Sequence, residues 1–271
     1  VKNFEDKVVV ITGAGAGIGR ALAVELADRG ARLALSGRNL DNVAETAALC
    51  EKAGANARAY KLDVTDRAAV YAHAEEVRSD FGPANVVVNN AGVSLTANIE
   101  ELTWEDFEWI VDINFWGVMY GTKAFLPQVI ASGDGHIANV SSMFGLAACP
   151  SQAAYNATKF GIRGFTDALR QEMKIAGHPV GVSSVHPGMI KTEIAWKARA
   201  GGDRDRDALA ANFDRLAKTT PESAAKTILR GIRKDRAKIL IGTDARVIDL
   251  LPRIFGSGYQ RIITAQMRNE V

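Results

Sequence analysis

Tyr155 and Lys159 stand four positions apart in the stretch Tyr155-Asn156-Ala157-Thr158-Lys159. On a helix that spacing puts both side chains on one face, one turn apart. Phe160, Gly161, Ile162, Phe165, Leu169 and Met173 then alternate with Arg163, Asp167, Arg170 and Glu172 at helical spacing, so a helix is expected here. A cation beside a phenol favours the phenolate and lowers its pKa from the ordinary ~10. A tyrosine so placed can give and take a proton near neutral pH.

A second stretch with chemical potential is Gly13-Ala14-Gly15-Ala16-Gly17-Ile18-Gly19. It follows the β-branched run of residues 7–12, which reads as a strand buried on both faces. Residues 20–29 then show helical periodicity through Leu22, Ala23 and Leu26, and Gly30 stops it. Strand, glycine turn and helix together suit a phosphate: the glycines allow close backbone approach and the helix N-terminus attracts the anion. Ile18 stands where the third glycine of a G-x-G-x-x-G turn would fall. The stretch reads instead as T-G-x-x-x-G-x-G through Thr12, Gly13, Gly17 and Gly19.

The elements that must hold these stretches alternate along the chain. Further strands are expected at residues 32–36, 57–62, 85–88, 136–141, 180–186 and 239–241. Helices are expected at 40–53, from a cap at Thr65 to Phe81, and from a capping box at Thr103 through Asn114 to about Ile130. Strands alternating with helices over short connections mean an α/β fold, a doubly wound parallel sheet of about seven strands with helices on both faces. No repeat or linker divides the chain, so residues 1–271 are expected to be one domain. Within it, 189–220 reads as an exposed, mobile, substrate-binding segment and 244–267 as an amphipathic helical extension. Trp104, Trp109 and Trp116 are expected in the core or an interface.

A net charge of +2 with no basic arm or stripe argues against nucleic acid as partner. Two cysteines, Cys50 and Cys149, suggest a reducing compartment, and a cytoplasmic location is expected. No apolar run is long enough to span a membrane, and residues 1–6 carry mixed charge unlike a signal peptide. The face of 244–267 is expected to cover the substrate cleft or meet another subunit rather than bind a membrane. No metal spacing is visible among His, Cys, Asp and Glu. His73 and His178 are expected at the surface. His136 begins a strand, and His186 is expected to be structural.

With Thr12 to Gly19, Asp63-Val64, Asn89 to Gly92, Asn114, Ser142, Tyr155 with Lys159, and Pro187-Gly188 with Thr192 in this order, the chain resembles the short-chain dehydrogenase/reductase family along nearly its whole length. Ser142 also precedes Tyr155 by the family's usual interval. The resemblance implies an oxidoreductase that passes a hydride between a nicotinamide cofactor and a ketone or secondary alcohol. It implies that Tyr155 exchanges the proton with the substrate oxygen and that Ser142 orients that oxygen. Lys159 would lower the Tyr155 pKa and bind the nicotinamide ribose, and Asn114 would position a relay water. Gly13, Gly17, Ile18 and Gly19 would hold the pyrophosphate, Asp63 and Val64 the adenine, and Asn90, with Ala91 and Gly92, the ribose. Pro187, Gly188, Ile190 and Thr192 would meet the carboxamide end.

An acidic residue at the end of the second strand would repel a 2′-phosphate. Gly37 stands there, followed by Arg38, so NADP is expected over NAD. Met143, Phe144, Leu146, Ala147, Ala148 and Met189 suggest an apolar substrate pocket. The family resemblance also implies a homodimer or homotetramer through the helices of Asn114 and Tyr155. Two other readings compete. A nucleotide-sugar epimerase or dehydratase usually has a T-G-x-x-G-x-x-G turn and a larger sugar domain, and a non-catalytic cofactor-sensing protein usually lacks a catalytic residue.

Overall fold

The computed structural model describes residues 1–268. The chain runs β1 (Val8–Thr12), α1 (Gly17–Ala27), β2 (Arg32–Gly37), α2 (Leu40–Lys52), β3 (Ala57–Lys61), α3 (Arg67–Phe81), β4 (Val86–Asn89) and β5 (Leu95–Thr96). It continues with α4 (Trp104–Val111), a π-helical turn (Asp112–Trp116), α5 (Gly117–Ala131), β6 (Gly135–Val140), a 3-10 turn (Met143–Gly145), α6 (Ala153–Ile175), β7 (Val180–Pro187) and β8 (Arg199–Ala200). The last elements are α7 (Arg206–Leu216), α8 (Pro221–Arg233), β9 (Lys238–Ile241), α9 (Thr243–Phe255) and α10 (Tyr259–Met267).

Seven strands form one parallel sheet in the order β3-β2-β1-β4-β6-β7-β9. Every residue of β1 is buried, as a continuous β-branched run requires when both faces are covered. Alternation sorts the side chains between two cores. Val9, Ile11, Leu33, Leu35 and Val86 pack with Leu22, Leu26, Val43 and Ile228 of α1, α2 and α8. Val8, Val10, Ala34, Val87 and Ile137 pack with Val77, Phe125, Val129 and Leu169 of α3, α5 and α6. The expected doubly wound sheet is the fold. The strand order reverses direction between β1 and β4, and in such sheets ligands bind at that switch point, beyond the carboxyl ends of the strands.

Several local expectations differ from the structure. Asp66, not Thr65, caps α3: its carboxylate accepts from Ala69 N at 3.0 Å, while the Thr65 hydroxyl donates to Asp63. His73 is buried on α3, not exposed; it lies edge-on to Tyr60 and Phe125. Of the tryptophans expected in the core or an interface, Trp104 and Trp116 are 80% and 43% exposed, which leaves only the interface alternative for these two. Segment 189–220 is not a bare loop. Asp205 Oδ1 accepts from Asp207 N and Ala208 N, both at 3.0 Å, and starts α7. Within the same segment Arg204 hydrogen-bonds Glu101. The helix expected from Thr103 does run to Ala131, but it is interrupted by the π turn that carries Asn114.

Candidate active site

At the switch point, the loops after β1 and β4 are tied together. Thr12 Oγ1 accepts from Asn90 N and Ala91 N at 3.0 Å, and Asn90 Nδ2 donates to Thr12 O at 2.9 Å. Gly13 and Gly17 take φ of +67° and +53°, which side chains rarely adopt. A Cβ on Gly13 would come within 2.9 Å of Ala91 Cα. α1 begins at Gly17 behind Ala16, which offers no capping side chain, and its first turn holds no acidic residue. Its first N–H groups are therefore left for another acceptor, and a helix N-terminus favours an anion. A Cβ on Gly17 would stand 3.1 Å from Thr192 Cγ2, so Thr192 closes over the same turn. These features fit a dinucleotide pyrophosphate. Ile18 packs partly into the core beneath.

Next to the turn, Gly13, Gly37, Arg38, Leu62, Asp63, Val64, Ala91, Gly92, Val93 and Ile113 line a pocket of about 160 Å3. A shallow cleft of about 580 Å3 adjoins it, lined by Arg38, Asn39, Leu40, Asp41 and Lys61. The structure thus brings together Arg38, Asp63, Val64, Ala91 and Gly92. It also adds Lys61, a cation not singled out in the sequence. The β2–β3 register pairs Gly37 with Lys61 and so places it there.

On the other side of the switch point, β6 ends at Val140 and Ser141-Ser142 follow. Ser142 Oγ accepts from Phe144 N at 3.2 Å and heads the 3-10 turn. α6 then carries Tyr155 and Lys159. Lys159 Nζ lies 5.4 Å from the Tyr155 ring centroid and donates to Val140 O at 3.2 Å. Ser141 Oγ donates to Lys159 O at 2.8 Å, which fastens α6 to the end of β6. A buried polar chain fixes the layers below. Asn89 Nδ2 donates to Asn139 Oδ1 at 2.8 Å and to Thr122 Oγ1 at 3.0 Å, and Asn139 Nδ2 donates to Thr166 Oγ1 at 3.1 Å.

Asn114 is wholly buried. Its Oδ1 accepts from Val93 N at 2.8 Å and its Nδ2 donates to Val93 O at 2.9 Å. A Cβ on Gly92 would lie 3.1 Å from Asn114 Oδ1 and 3.5 Å from Lys159 Nζ, so the three residues meet at one point. π turns inside α-helices often mark functional positions.

One electrostatic expectation is corrected. The Tyr155 phenol is held above the ordinary value, not below it: burial is the largest cause, and a hydrogen bond with Ser142 opposes it. Burial also lowers Lys159 to about 7. At neutral pH the amine is therefore only partly charged, which weakens its pull on the phenol.

Other residues of the site escaped the sequence reading. Asn156 Nδ2 donates to Phe144 O at 2.8 Å and its Oδ1 accepts from Cys149 N at 3.2 Å, so it holds the loop beside Tyr155. Gly188 and Met189 follow β7. Gly188 N donates to Ile241 O at 2.9 Å and Met189 N donates to Asp244 Oδ2 at 2.6 Å. Ile190 is buried and bridges to Thr219, and Pro187 closes β7. His186 is wholly buried on β7. Of the expected apolar pocket, Met143, Leu146 and Ala147 are buried in the protein, Phe144 and Met189 are half-buried, and Ala148 is exposed. Ala148 N donates to Tyr259 Oη at 3.1 Å, so α10 reaches this loop. Among the described residues no group of three His, Cys, Asp or Glu side chains is placed to hold a metal.

The sequence profile of the short chain dehydrogenase family matches residues 7–203. A protein of Mycobacterium tuberculosis named "Putative oxidoreductase SadH" is 52% identical over 266 residues, which cover 98% of this chain and 96% of that protein. A short chain dehydrogenase/reductase from Burkholderia phymatum, solved in complex with NAD, matches with a TM-score of 0.85 and 29% identity over 99% of this chain and 97% of its own. An alcohol dehydrogenase from Thermococcus sibiricus, complexed with 5-hydroxy-NADP, matches with a TM-score of 0.75 and 27% identity over 87% of this chain and 95% of its own.

Proposed function

The chain belongs to the short-chain dehydrogenase/reductase family, and on that premise we propose that it interconverts a ketone and a secondary alcohol, the whole chain acting as one catalytic unit. Its fold is that of a nicotinamide-dependent oxidoreductase. The observation that carries the reading is the convergence of Ser142, Tyr155, Lys159 and Asn114 beside the glycine turn. A nicotinamide cofactor, when bound, would supply or accept the hydride.

Tyr155 gives its phenolic proton to the substrate oxygen in reduction and takes it back in oxidation. Ser142 hydrogen-bonds that oxygen and holds it where charge develops. Lys159 binds the ribose beside the nicotinamide. With an amine that titrates at about 7, it also passes protons onward to the Asn114 corner at the working pH. Gly13, Gly17, Ile18 and Gly19 cradle the pyrophosphate, with Thr192 above them. Asp63, Val64, Asn90, Ala91 and Gly92 border the adenosine half. Pro187, Gly188 and Ile190 border the carboxamide.

We favour NADP over NAD because Gly37 leaves room and Arg38 offers a forked cation at the open cleft. Of the two solved structures compared, one holds NAD and the other 5-hydroxy-NADP. The half-buried Phe144 and Met189 suit an apolar carbonyl. Exposed Trp116 and Phe160, on the π turn and α6, suit a homodimer or homotetramer joined through α5 and α6. A cytoplasmic location remains part of the proposal. Among the described residues no helix is long and apolar enough to cross a membrane. The test is the nicotinamide absorbance change on a panel of ketones and alcohols with each cofactor. Binding of a cofactor without turnover of any of them, and with Tyr155→Phe indistinguishable from wild type, would favour a sensing role instead.

A further inference from the structure

Ser142 lies just past the last residue of β6, where the strand ladder no longer holds the backbone. Its conformation is extended, with φ −165° and ψ 167°. Ser141 N still donates to Val185 O at 2.8 Å, and the Val140–Val185 register sets Ser141 opposite His186, with Ser142 one residue beyond it. The Ser142 carbonyl accepts twice. One hydrogen bond is local, from Gly145 N at 3.0 Å. The other comes from across the sheet, from His186 Nδ1 at 2.8 Å.

His186 is wholly buried. A carbonyl oxygen can only accept, so Nδ1 must carry the hydrogen. Nε2 is then bare, and it lies 2.9 Å from Ser184 Oγ, whose hydroxyl can turn to donate. Ser184 and His186 are two residues apart on one strand and so share a face. One neutral tautomer satisfies both ring nitrogens at once. Burial pushes the imidazole down to about 4; Lys238 and Arg163 act in the same direction, while Asp249 and the Ser142 carbonyl oppose. The ring therefore stays neutral through the physiological range.

We propose that His186 is a positioning residue for Ser142, held in a single tautomer by Ser184. The inference rests on the reading of Ser142 as the group that orients the substrate oxygen. The Ser142 hydroxyl is bound to Phe144 N and its carbonyl is pinned to β7, so the peptide cannot rotate without breaking one of the two. Small misplacements of a positioning group carry large rate penalties. His186 acts through the direction of Ser142 Oγ and touches neither substrate nor cofactor.

The test is a double-mutant cycle on the holoenzyme, using an alcohol or ketone that the wild type turns over. His186→Phe keeps a ring but removes the donor, and kcat is expected to fall on the order of 10- to 100-fold. Cofactor affinity should stay within about two-fold, and the same substitution in a Ser142→Ala background should add almost nothing. His186→Asn should recover most of the loss, because its amide N–H occupies the Nδ1 position. Equal losses in both backgrounds, or an Asn variant no better than Phe, would overturn the inference in favour of simple packing. If His186→Phe does not fold, His186→Gln replaces it, since its amide reaches toward Ser184 instead. A wild-type kcat in Ser142→Ala alone would overturn the reading of the site, and is distinguishable from additive losses.

Discussion

Lys159 Nζ lies 5.4 Å from the centroid of the Tyr155 ring, one turn further along α6. It is 4% exposed, and it donates to Val140 O. In the unfolded chain the amine keeps its proton up to 10.5, and in the folded protein only up to about 7. Between these values the unfolded chain binds more protons, so this residue makes stability rise with pH. Lys159→Met is therefore expected to lose activity and to raise Tm at pH 7, with the gain shrinking towards pH 10. Thermal melts of both proteins across that range check it. An unchanged Tm difference across the range would contradict the assigned burial penalty.

Tyr155→Phe keeps the packed ring and removes the exchangeable proton. Turnover should vanish while cofactor binding stays nearly intact. Ser142→Ala should cost about 3 kcal/mol of transition-state stabilisation, the scale of one lost oxyanion donor. Steady-state kinetics and cofactor titration separate the two effects.

Arg38 and Lys61 both line the cleft beside Gly37, with Asp41 as the opposing charge. A hydrogen bond to a charged group contributes ~1.5–3 kcal/mol, or roughly 10- to 150-fold in affinity. Wild-type protein is expected to prefer NADP(H), Arg38→Ala to lose the preference and Gly37→Asp to reverse it. A Cβ at Gly37 would lie 3.0 Å from Val43 Cγ2, so Val43 must shift by a few tenths of an ångström in that variant. Equal dissociation constants of the wild type for NAD(H) and NADP(H) would refute the assignment.

His73 is buried between Tyr60 and Phe125, and neither ring nitrogen has a hydrogen-bond partner. Burial lowers it to about 4 from an ordinary 6.5. As pH falls through that interval the unfolded chain gains a proton that the folded protein resists, so stability falls. His73→Leu should raise stability at pH 5 more than at pH 8. Urea unfolding at the two pH values would show it, and an equal change at both would refute it.

Asp244 accepts from Met189 N and Tyr259 Oη accepts from Ala148 N, so α9 and α10 support the loops that follow β7 and β6. Removing residues after Gly258 should raise KM for the carbonyl substrate and leave cofactor affinity unchanged. A shift in cofactor affinity alone would place the role of α10 elsewhere.

The parts of this site that could be read from sequence are those whose cause is local. The β-branched run before the glycine turn forms β1 because burial on both faces demands such residues, and Tyr155 and Lys159 share a helix face because of their spacing. The rest depends on partners far along the chain. Asp244 meets Met189 55 residues away, and His186 meets Ser142 44 residues away; no periodicity marks either. α7 was hidden because its alternating charges mask an apolar stripe reduced to one buried residue, Ala210. The burial of His73 is not legible because a lone histidine between Ala72 and Ala74 carries no sign of it until the packing of α3 against α5 is known. The Tyr155 shift was missed because spacing reveals the cation but not the loss of water around both groups.

The π turn at Asp112–Trp116 means that the segment from Thr103 to Ala131 winds less tightly than a regular α-helix over one turn. One residue of helix corresponds to about 100° of rotation. The wider turn takes up one residue more than an α turn would, so α5 keeps its phase on the sheet. Deleting a single residue within 112–116 would let the segment rewind as a continuous α-helix and leave the faces beyond it in place. The same deletion inside α5 before Thr122 would swing the following residues by about 100°. Thr122, which meets Asn89, and Gln128, which accepts from Ala84 N and donates to Ala74 O, would then leave their partners together. A library of single-residue deletions across the segment should retain more folded protein for cuts within 112–116 than for cuts at 117–121.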